Sequence, residues 1–342
     1  MEPVDAMTDT RLQSARAWLE TLGLAVEAMT PASEDASFRR YFRVHLASGE
    51  SRILMDAPPD KEPLGPFLDI AARLAAVGVH VPEVYASAPE AGFVLLEDLG
   101  ATCYLEALDE DRVERLYGDA LGALAAIQCL ADTEGLPPYD ATRLQAEMSL
   151  FPEWLLTRHL GMTLTPAQHD LLERTRARLV EAALAQPRVF VHRDYHSRNL
   201  MVVPAHNPGI LDFQDAVAGP VTYDLVSLLR DCYVAWPEDR VRDWALGYLQ
   251  LAEQTGVLRA KAVDEDTFLR WFDWMGVQRH LKAAGIFARL WHRDGKPGYL
   301  ADVPRTLGYV VAVCRRHPEL APFGRFVAEE VLPRLEARAD TA

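Results

Sequence analysis

The sequence predicts a mixed α/β (α+β) protein with two lobes, a small β-rich lobe followed by a larger helical lobe. Three observations favour this arrangement. Residues 1–97 contain short apolar stretches typical of strands, whereas residues 98–342 contain long amphipathic stretches separated by turns with proline and glycine. The chain of 342 residues also exceeds the roughly 150 residues of a typical domain. We therefore place the boundary between the two lobes at residue 97.

The N-terminal lobe is expected to begin with a helix and to continue in the order ββαββ. Apolar residues recur at helical spacing from Leu12 to Leu22, directly after Asp9, a residue suited to cap a helix. The polar stretch 47–50 between the first two strands is typical of a hairpin turn. The strands are predicted over 38–46, 51–55, 81–87 and 92–96, and the intervening helix over 64–77.

The second lobe is predicted to be mainly helical. Its exception is 188–213, where the apolar runs RVFVH, NLMVV and GILDF indicate small strands separated by polar residues. We expect the chemistry of the protein to lie in this segment. The helices are predicted at about 109–130, 141–160, 165–186, 237–255, 265–292 and 298–316.

Composition excludes several classes of protein. The net charge of −15 argues against binding to a nucleic-acid backbone, and no apolar run has the ~18 residues of a membrane span. The acidic N-terminus lacks the features of a signal peptide, so we expect a cytoplasmic protein. The four cysteines are scattered without a CxxC pair, which indicates neither a zinc site nor a disulfide framework. The oligomeric state is not indicated by the sequence.

One polar segment predicts phosphoryl transfer. The string His192-Arg193-Asp194-Tyr195-His196-Ser197-Arg198-Asn199 has the pattern H-R-D-x-x-x-x-N, and Asp212 follows at the end of an apolar strand. Phosphoryl transfer from ATP requires a carboxylate for the acceptor hydroxyl and oxygen ligands for Mg²⁺. Asp194 suits the first role as the catalytic base. Asn199 and Asp212 suit the second role as metal ligands.

Other interpretations of this segment remain open. The H-R-D string and the aspartate at position 212 are each a weak signal alone, since an aspartate at a strand end is often a turn residue. The alternation of His192, Asp194 and His196 also allows a metallohydrolase, although His206 is the only further histidine close by in the sequence. The two strings in this order and spacing favour the kinase interpretation.

The strings HRDYHSRNL and ILDFQDAVAGPVTYDLVSLLRD resemble the aminoglycoside phosphotransferase family, which is close to the choline and fructosamine kinases. The resemblance covers nearly the whole chain. It implies a two-lobe, protein-kinase-like fold that binds ATP and Mg²⁺, with the acceptor held mainly by the helical lobe.

Five further segments resemble a narrower group within that family, the bacterial anomeric kinases that act on N-acetylmuramate and N-acetylglucosamine. This resemblance implies that a small amino sugar is phosphorylated on its C1 hydroxyl in cell-wall recycling. The segments are SEDASFRRYFRV, LLEDLG, LFPEWLL, WMGVQRHLKAAGIFARL and DGKPGYLADVPRTLGYV.

Nucleotide-binding residues are expected at two places in the first lobe. Ser37 and Phe38 lie in the loop before strand 38–46, where a kinase has its phosphate-covering loop, although this loop contains no glycine. A plain turn is the alternative. Glu97 and Leu99 follow an apolar run at the lobe junction, so the Glu97 carbonyl and the Leu99 N–H are candidates for bonds to adenine.

The predicted strand 51–55 departs from the pattern of the third strand of a kinase. A kinase has a lysine there that contacts the nucleotide phosphates, but this strand ends in Met55 and Asp56. Arg43 and Lys61 are comparable candidates for the missing cation, and Arg40 is the next. The alternative is that these side chains merely solvate an exposed face.

Further residues are candidates for supporting the catalytic loop or binding the acceptor. Asp224 begins a predicted helix, and its carboxylate is expected to bond backbone N–H groups of the loop, with His192 also supporting the loop; an ordinary helix cap is the alternative. Trp271, Trp274, Met275 and Leu281 form an apolar stripe expected in the core. Surface or core roles are open for every acceptor candidate. These candidates are Glu147, Trp154, His196 and Arg279.

Two other functions remain possible from the sequence. The net charge of −15 suits a polycationic acceptor, and therefore an aminoglycoside kinase. The missing strand lysine allows a nucleotide-binding pseudokinase. Retention of Asp194, Asn199 and Asp212 argues against a pseudokinase, because a scaffold has no physical need of all three.

Overall fold

The computed structural model of the protein describes residues 9–34, 38–259 and 263–339. It divides into two compact units. The N-terminal unit comprises the described residues of 1–102 together with Met201–Asp215, and the helical unit comprises Cys103–Leu200 and the described residues from Ala216 onward. The segment Met201–Asp215 thus belongs to the N-terminal unit, whereas the sequence division at residue 97 assigned it to the second lobe.

The N-terminal unit is built on an antiparallel sheet with the strand order β1-β2-β3-β5-β4. The predicted hairpin of β2 and β3 is confirmed, with Tyr41 opposite Met55. Strand β1 was not predicted, because it is an edge strand that contains Pro31 and two register shifts, and therefore shows no clean alternation. The strands are β1 (Val26–Glu34), β2 (Arg40–Leu46), β3 (Ser51–Asp56), β4 (Val84–Ala88) and β5 (Phe93–Glu97).

Helix α1 (Thr10–Thr21) covers one face of this sheet, and helix α2 (Leu64–Ala76) lies between β3 and β4 in the chain. The predicted cap of α1 is confirmed, because the Asp9 carboxylate accepts hydrogen bonds from the backbone N–H groups of Arg11 and Leu12. The apolar side of α1 packs on the sheet in a core formed by Leu12, Ala15, Leu19, Phe42, Val44, Leu46, Leu54, Phe93 and Leu95.

The remaining elements are mainly helices. Four short strands form two ribbons: β6 (Arg188–Val191) with β9 (Val217–Pro220), and β7 (Leu200–Met201) with β8 (Gly209–Ile210). The helices are α3 (Tyr104–Ala107), α4 (Val113–Leu130), α5 (Ala141–Leu150), α6 (Pro166–Leu184), α7 (Tyr223–Leu229), α8 (Glu238–Thr255), α9 (Glu265–Asp294), α10 (Val303–Arg316), α11 (Ala321–Phe326) and α12 (Leu332–Ala339). Segments Phe151–His159 and Val327–Val331 are π-helical, and Pro297–Asp302 is a 3₁₀ helix.

Within the described residues, no helix combines the length and the apolar character that crossing a membrane requires.

Helix α9 forms the centre of the helical unit. Its 30 residues span about 45 Å at 1.5 Å per residue, and it packs against α5, α6, α7, α10 and the first π-helical segment. The predicted apolar stripe is confirmed as core, since Trp271, Trp274, Met275 and Leu281 are all buried. Gly285 allows α9 to approach the end of α5 closely, because a Cβ atom at this position would lie only 2.4 Å from the backbone carbonyl carbon of Leu150.

We expect Gly285→Ala to destabilise the protein, because a backbone atom cannot move aside as a flexible side chain can. The loss in the free energy of unfolding should be about 1–3 kcal/mol, as for other overpacked cores. Gly247→Ala on α8 is the matched control, since a Cβ atom there meets nothing within 4 Å and alanine favours the helix. Urea unfolding followed by circular dichroism measures both. Equal stability of the two variants would contradict the close packing at Gly285.

Candidate functional site

The segment from His192 to Asn199 is a loop between β6 and β7 whose backbone is held by a buried carboxylate. Asp224, in the first turn of α7, accepts hydrogen bonds from the backbone N–H of His192 at 2.7 Å and of Arg193 at 3.0 Å. Arg193 has a φ of 80°, a left-handed conformation that costs a non-glycine residue about 1–2 kcal/mol. Burial raises the pKa of Asp224 to about 6, despite the two N–H donors. The two bonds offset the strain at Arg193.

The second half of the loop is held by another carboxylate that follows α7. Asp231 accepts hydrogen bonds from the backbone N–H of Ser197 and of Tyr233, both at 2.9 Å. The buried Tyr195 hydroxyl donates to the carbonyl of Ala120 on α4 at 2.8 Å. The loop is therefore fixed to α4, α7 and the segment after α7.

Two hydrogen bonds inside the loop orient its polar side chains. The backbone N–H of Asp194 donates to the His192 Nδ1 at 3.2 Å, so this ring nitrogen carries no proton. The amide Nδ2 of Asn199 donates to the Asp194 carbonyl at 3.0 Å. This bond sets the orientation of the Asn199 amide and hence the position of its oxygen.

The Asp194 carboxylate lies among cations. Burial alone would raise its pKa, but the charges of Lys282, Arg193 and Arg279 lower the pKa of Asp194 below its usual value. Lys282 contributes the largest of these lowering effects. A carboxylate with a lowered pKa is ionised at neutral pH, which a general base requires.

Lys282 is a buried cation on α9 with two polar contacts. Its Nζ donates to the Tyr223 hydroxyl at 3.0 Å and lies 3.6 Å from the Glu147 carboxylate, which also pairs with Arg193 Nη2 at 2.5 Å. Burial alone would lower the pKa of Lys282, but Tyr223 and the Glu147 carboxylate raise it above its usual value. Lys282 is therefore charged, and Glu147 is the anion that compensates both the buried Lys282 and the partly buried Arg193.

Three of the predicted acceptor candidates, Glu147, His196 and Arg279, lie around Asp194. His196 and Arg279 interact with Asp194 itself, and Glu147 pairs with its neighbour Lys282. Arg279 is buried rather than solvated, and its Nη1 donates to Cys232 Sγ at 3.5 Å. Burial lowers the pKa of His196 to about 4, so its ring is neutral. The fourth candidate, Trp154, lies in the first π-helical segment with the Arg158 guanidinium 3.9 Å from its ring centroid.

Asp212 is held inside the N-terminal unit. It has a φ of 62°, and its carboxylate accepts a hydrogen bond from Gln214 Nε2 at 2.7 Å. The next residue, Phe213, is buried and stacks on Phe67 of α2, with ring centroids 5.0 Å apart. The preceding Ile210 donates its backbone N–H to the His80 carbonyl at 2.7 Å. These contacts hold the backbone on both sides of Asp212 in place.

The predicted adenine-binding residues lie at the end of β5. The Glu97 carboxylate is 3.2 Å from His80 Nε2, while its backbone N–H donates to the Glu83 carbonyl at 2.9 Å. Leu99 is buried against Gly209, where a Cβ atom would lie 2.8 Å from the Leu99 Cδ1. Both residues are thus in rigid, well-packed backbone.

The candidates for phosphate contact differ in their surroundings. Ser37 lies outside the described residues. Phe38 is exposed, and the Lys61 ammonium lies 4.4 Å from its ring centroid. The Arg43 guanidinium forms a bidentate pair with Asp98, at 2.6 and 3.0 Å.

Sequence reasoning missed two residues of these sites: Lys282 and Asp231. Asp231 ends the same polar-flanked segment that Asp224 begins, VTYDLVSLLRD, but it follows α7 rather than lying on it. Lys282, one of only four lysines, falls on the predicted helix beside the apolar stripe. Those were the available signals. Among the described residues, no group of three or more His, Cys, Asp or Glu side chains could hold a metal ion by itself.

Comparison with known proteins gives one family match and several relatives. A model described as the phosphotransferase enzyme family matches residues 28–263. The chain is 48% identical over 332 residues to an N-acetylmuramate/N-acetylglucosamine kinase of Pseudomonas putida, covering 94% of this chain and 97% of the relative. It is 46% identical to the kinase of the same name from Pseudomonas aeruginosa, over 94% and 97% of the two chains.

The fold is also similar to a solved structure. The choline kinase LicA from Streptococcus pneumoniae matches with a TM-score of 0.59 and 12% identity, over 89% of this chain and 100% of that one. The two-lobe, kinase-like α/β fold predicted from the sequence is therefore confirmed.

Proposed function

The chain belongs to the phosphotransferase enzyme family, and we propose that it transfers the γ-phosphoryl group of ATP to the anomeric hydroxyl of N-acetylmuramate or N-acetylglucosamine. The near-full-length match to the two Pseudomonas amino-sugar kinases is the observation that carries the acceptor assignment. A sugar 1-phosphate made in this way would serve cell-wall recycling. We place the reaction in the cytoplasm, where ATP is available.

In the proposed mechanism, Asp194 is the catalytic base. Its carboxylate orients the C1 hydroxyl and accepts its proton while the hydroxyl oxygen attacks the γ-phosphorus, and ADP leaves with the electrons of the broken bond. A C1 hydroxyl is more acidic than other sugar hydroxyls because of the ring oxygen, so the proton transfer to a carboxylate is less unfavourable. The lowered pKa of Asp194 supports this role, because it keeps the base ionised.

The proposed metal ligands are Asn199, which belongs to the helical unit, and Asp212, which belongs to the N-terminal unit. Carboxylate and amide oxygens are the ligands that Mg²⁺ prefers, and the amide of Asn199 is oriented by its bond to the Asp194 carbonyl. The residues present therefore fit magnesium. When bound, the ion would neutralise charge on the nucleotide phosphates.

The charges around Asp194 bear on the choice of acceptor. Of the cations that act on Asp194, Lys282 and Arg193 are compensated by Glu147, whereas Arg279 donates to the Cys232 sulfur. Arg279 therefore supports an acidic sugar such as N-acetylmuramate, which carries a lactyl carboxylate, over a polycationic aminoglycoside. We propose that Arg279 binds this carboxylate.

Phosphorus NMR of the reaction product tests the proposed function. Incubation with ATP and either sugar should give a phosphate on C1, and Asp194→Asn should lower kcat by roughly two to four orders of magnitude as a base is lost. A phosphate coupled to a C6 methylene would reject the proposal. Turnover of an aminoglycoside with none of either sugar would reject it as well.

We expect Arg279→Ala to impair N-acetylmuramate far more than N-acetylglucosamine, because only the first has a carboxylate to bind. The ratio of kcat/KM between the two sugars should change by about 1.5–3 kcal/mol, the contribution of a charged hydrogen bond. Arg270→Ala, at an exposed position of the same helix paired with Glu319, is the control and should leave the ratio unchanged. An equal loss on both sugars would assign Arg279 another role.

We expect Lys282→Met to shift the acid limb of the pH profile of kcat/KM to higher pH. Removal of this cation raises the pKa of Asp194, so the base is protonated, and the activity lost, at a higher pH than in the wild type. Lys296→Met is the control, because it removes the same charge from a position beyond the end of α9. An acid limb at the wild-type position, in a folded variant, would show that Lys282 does not set the ionisation of Asp194.

A further inference from the structure

The loop that carries the proposed base, Asp194, also carries an exposed arginine. Arg198 directly precedes Asn199 in the sequence, and its guanidinium contacts two aromatic rings of the helical unit. It lies 4.4 Å from the ring centroid of Tyr233, in the segment after α7, and 5.4 Å from that of Tyr299, in the 3₁₀ helix. Among the described residues, no carboxylate forms an ion pair with Arg198. Its positive charge is therefore open to a ligand.

The other cations around the base are less accessible. Lys282 and Arg193 share the carboxylate of Glu147. Arg279 is only 5% exposed, so it is reached only by a group that enters the interior. Arg198 is the cation of this loop that lies at the surface.

The two tyrosine rings beside Arg198 are held in place by their neighbours. The ring of Tyr233 makes a T-shaped contact with the ring of His196, with centroids 5.4 Å apart. Tyr299 stacks on Phe287 of α9, with centroids 5.7 Å apart. Burial raises the pKa of Tyr233, so its hydroxyl is neutral and does not cancel the charge of the guanidinium. Arg198, Tyr233 and Tyr299 thus form a fixed surface, the Arg198 cluster.

The Arg198 cluster lies beside the base. The backbone N–H of His196 donates to the Asp194 carbonyl at 3.1 Å, and the N–H of Asn199 donates to the His196 carbonyl at 2.9 Å. These two bonds turn the loop back on itself and keep Arg198 near Asp194. In the proposed reaction Asp194 faces the C1 hydroxyl, and both sugars carry an acetamido group on the next carbon, C2. A side chain next to the base is therefore in position to bind that group.

The Arg198 cluster matches the two parts of an acetamido group. A guanidinium carries only hydrogen-bond donors, so it binds a carbonyl oxygen. The aromatic rings beside it provide apolar surface for the methyl group. A free amino group, such as those of an aminoglycoside, is a cation and would be repelled by the guanidinium.

We propose that Arg198, together with Tyr233 and Tyr299, binds the acetamido group of the acceptor and thereby selects N-acetylated sugars. This inference rests on the proposed function, since it takes an amino sugar as the acceptor. The role differs from that proposed for Arg279, whose carboxylate ligand is present in N-acetylmuramate alone.

Steady-state kinetics of the full chain test this role with wild type, Arg198→Met, Arg198→Lys and Arg270→Met. We expect Arg198→Met to raise KM for both sugars by the same factor, about tenfold, the equivalent of one charged hydrogen bond, with KM for ATP unchanged. Arg198→Lys should recover part of the loss. Arg270→Met removes another guanidinium that lies over an aromatic ring, that of Trp274, and should match the wild type.

Competition by glucose identifies the group that Arg198 binds. Glucose has a hydroxyl at C2 in place of the acetamido group, so its inhibition constant should far exceed the KM of N-acetylglucosamine in the wild type. The ratio of these two constants should fall about tenfold in Arg198→Met, because the variant has lost the contact that favours the acetamido group. An unchanged ratio would overturn the inference.

The remaining outcomes separate this inference from the proposed function. A folded Arg198→Met variant with wild-type KM for both sugars would overturn the inference, and so would an equal rise in KM for ATP, which indicates a structural or nucleotide-binding role. A loss on N-acetylmuramate alone would assign Arg198 to the lactyl carboxylate and overturn it as well. Wild-type protein that phosphorylates neither sugar would overturn the proposed function, which the other outcomes leave standing.

Discussion

A carboxylate buried away from water must be satisfied by donors or cations, and the helical unit is organised around this requirement. Asp224 and Asp231 meet it with backbone N–H groups, and in doing so they fix the conformation of the loop that carries Asp194. Asp194 meets it with charge, chiefly from Lys282. Glu147 in turn compensates Lys282. Removal of either Glu147 or Lys282 would therefore leave the charge of the other unpaired in the interior.

The same requirement explains the N-terminal unit. Asp56 stands at the end of β3, and its burial demands Arg11 and Arg40 as partners. These pairs join α1 to the sheet, so Asp56 serves the stability of this unit. The side-chain alternation of β2 places Arg39 on the opposite face from Arg40.

Much of the site could be predicted from local sequence, because the loop from His192 to Asn199 and the segment around Asp212 are short strings with their own spacing. Asp224 was predicted to bond the backbone of that loop, and the structure contains two such bonds. Lys282 could not be predicted, because its approach to Asp194 depends on how α9 packs. Strand β1 was missed for another reason, since an edge strand has no strict apolar alternation.

The sequence by itself determined most of the helices and strands, the kinase-like motif and the family, because each is encoded in periodicity or spacing along the chain. Tertiary structure alone decided which charges meet. Arg39 and Arg40 are adjacent in sequence, yet one lines a cavity and the other neutralises Asp56, because a strand turns successive side chains to opposite faces. Burial then sets the pKa values of Asp224 and His196, since the solvation that a side chain loses depends on everything packed around it.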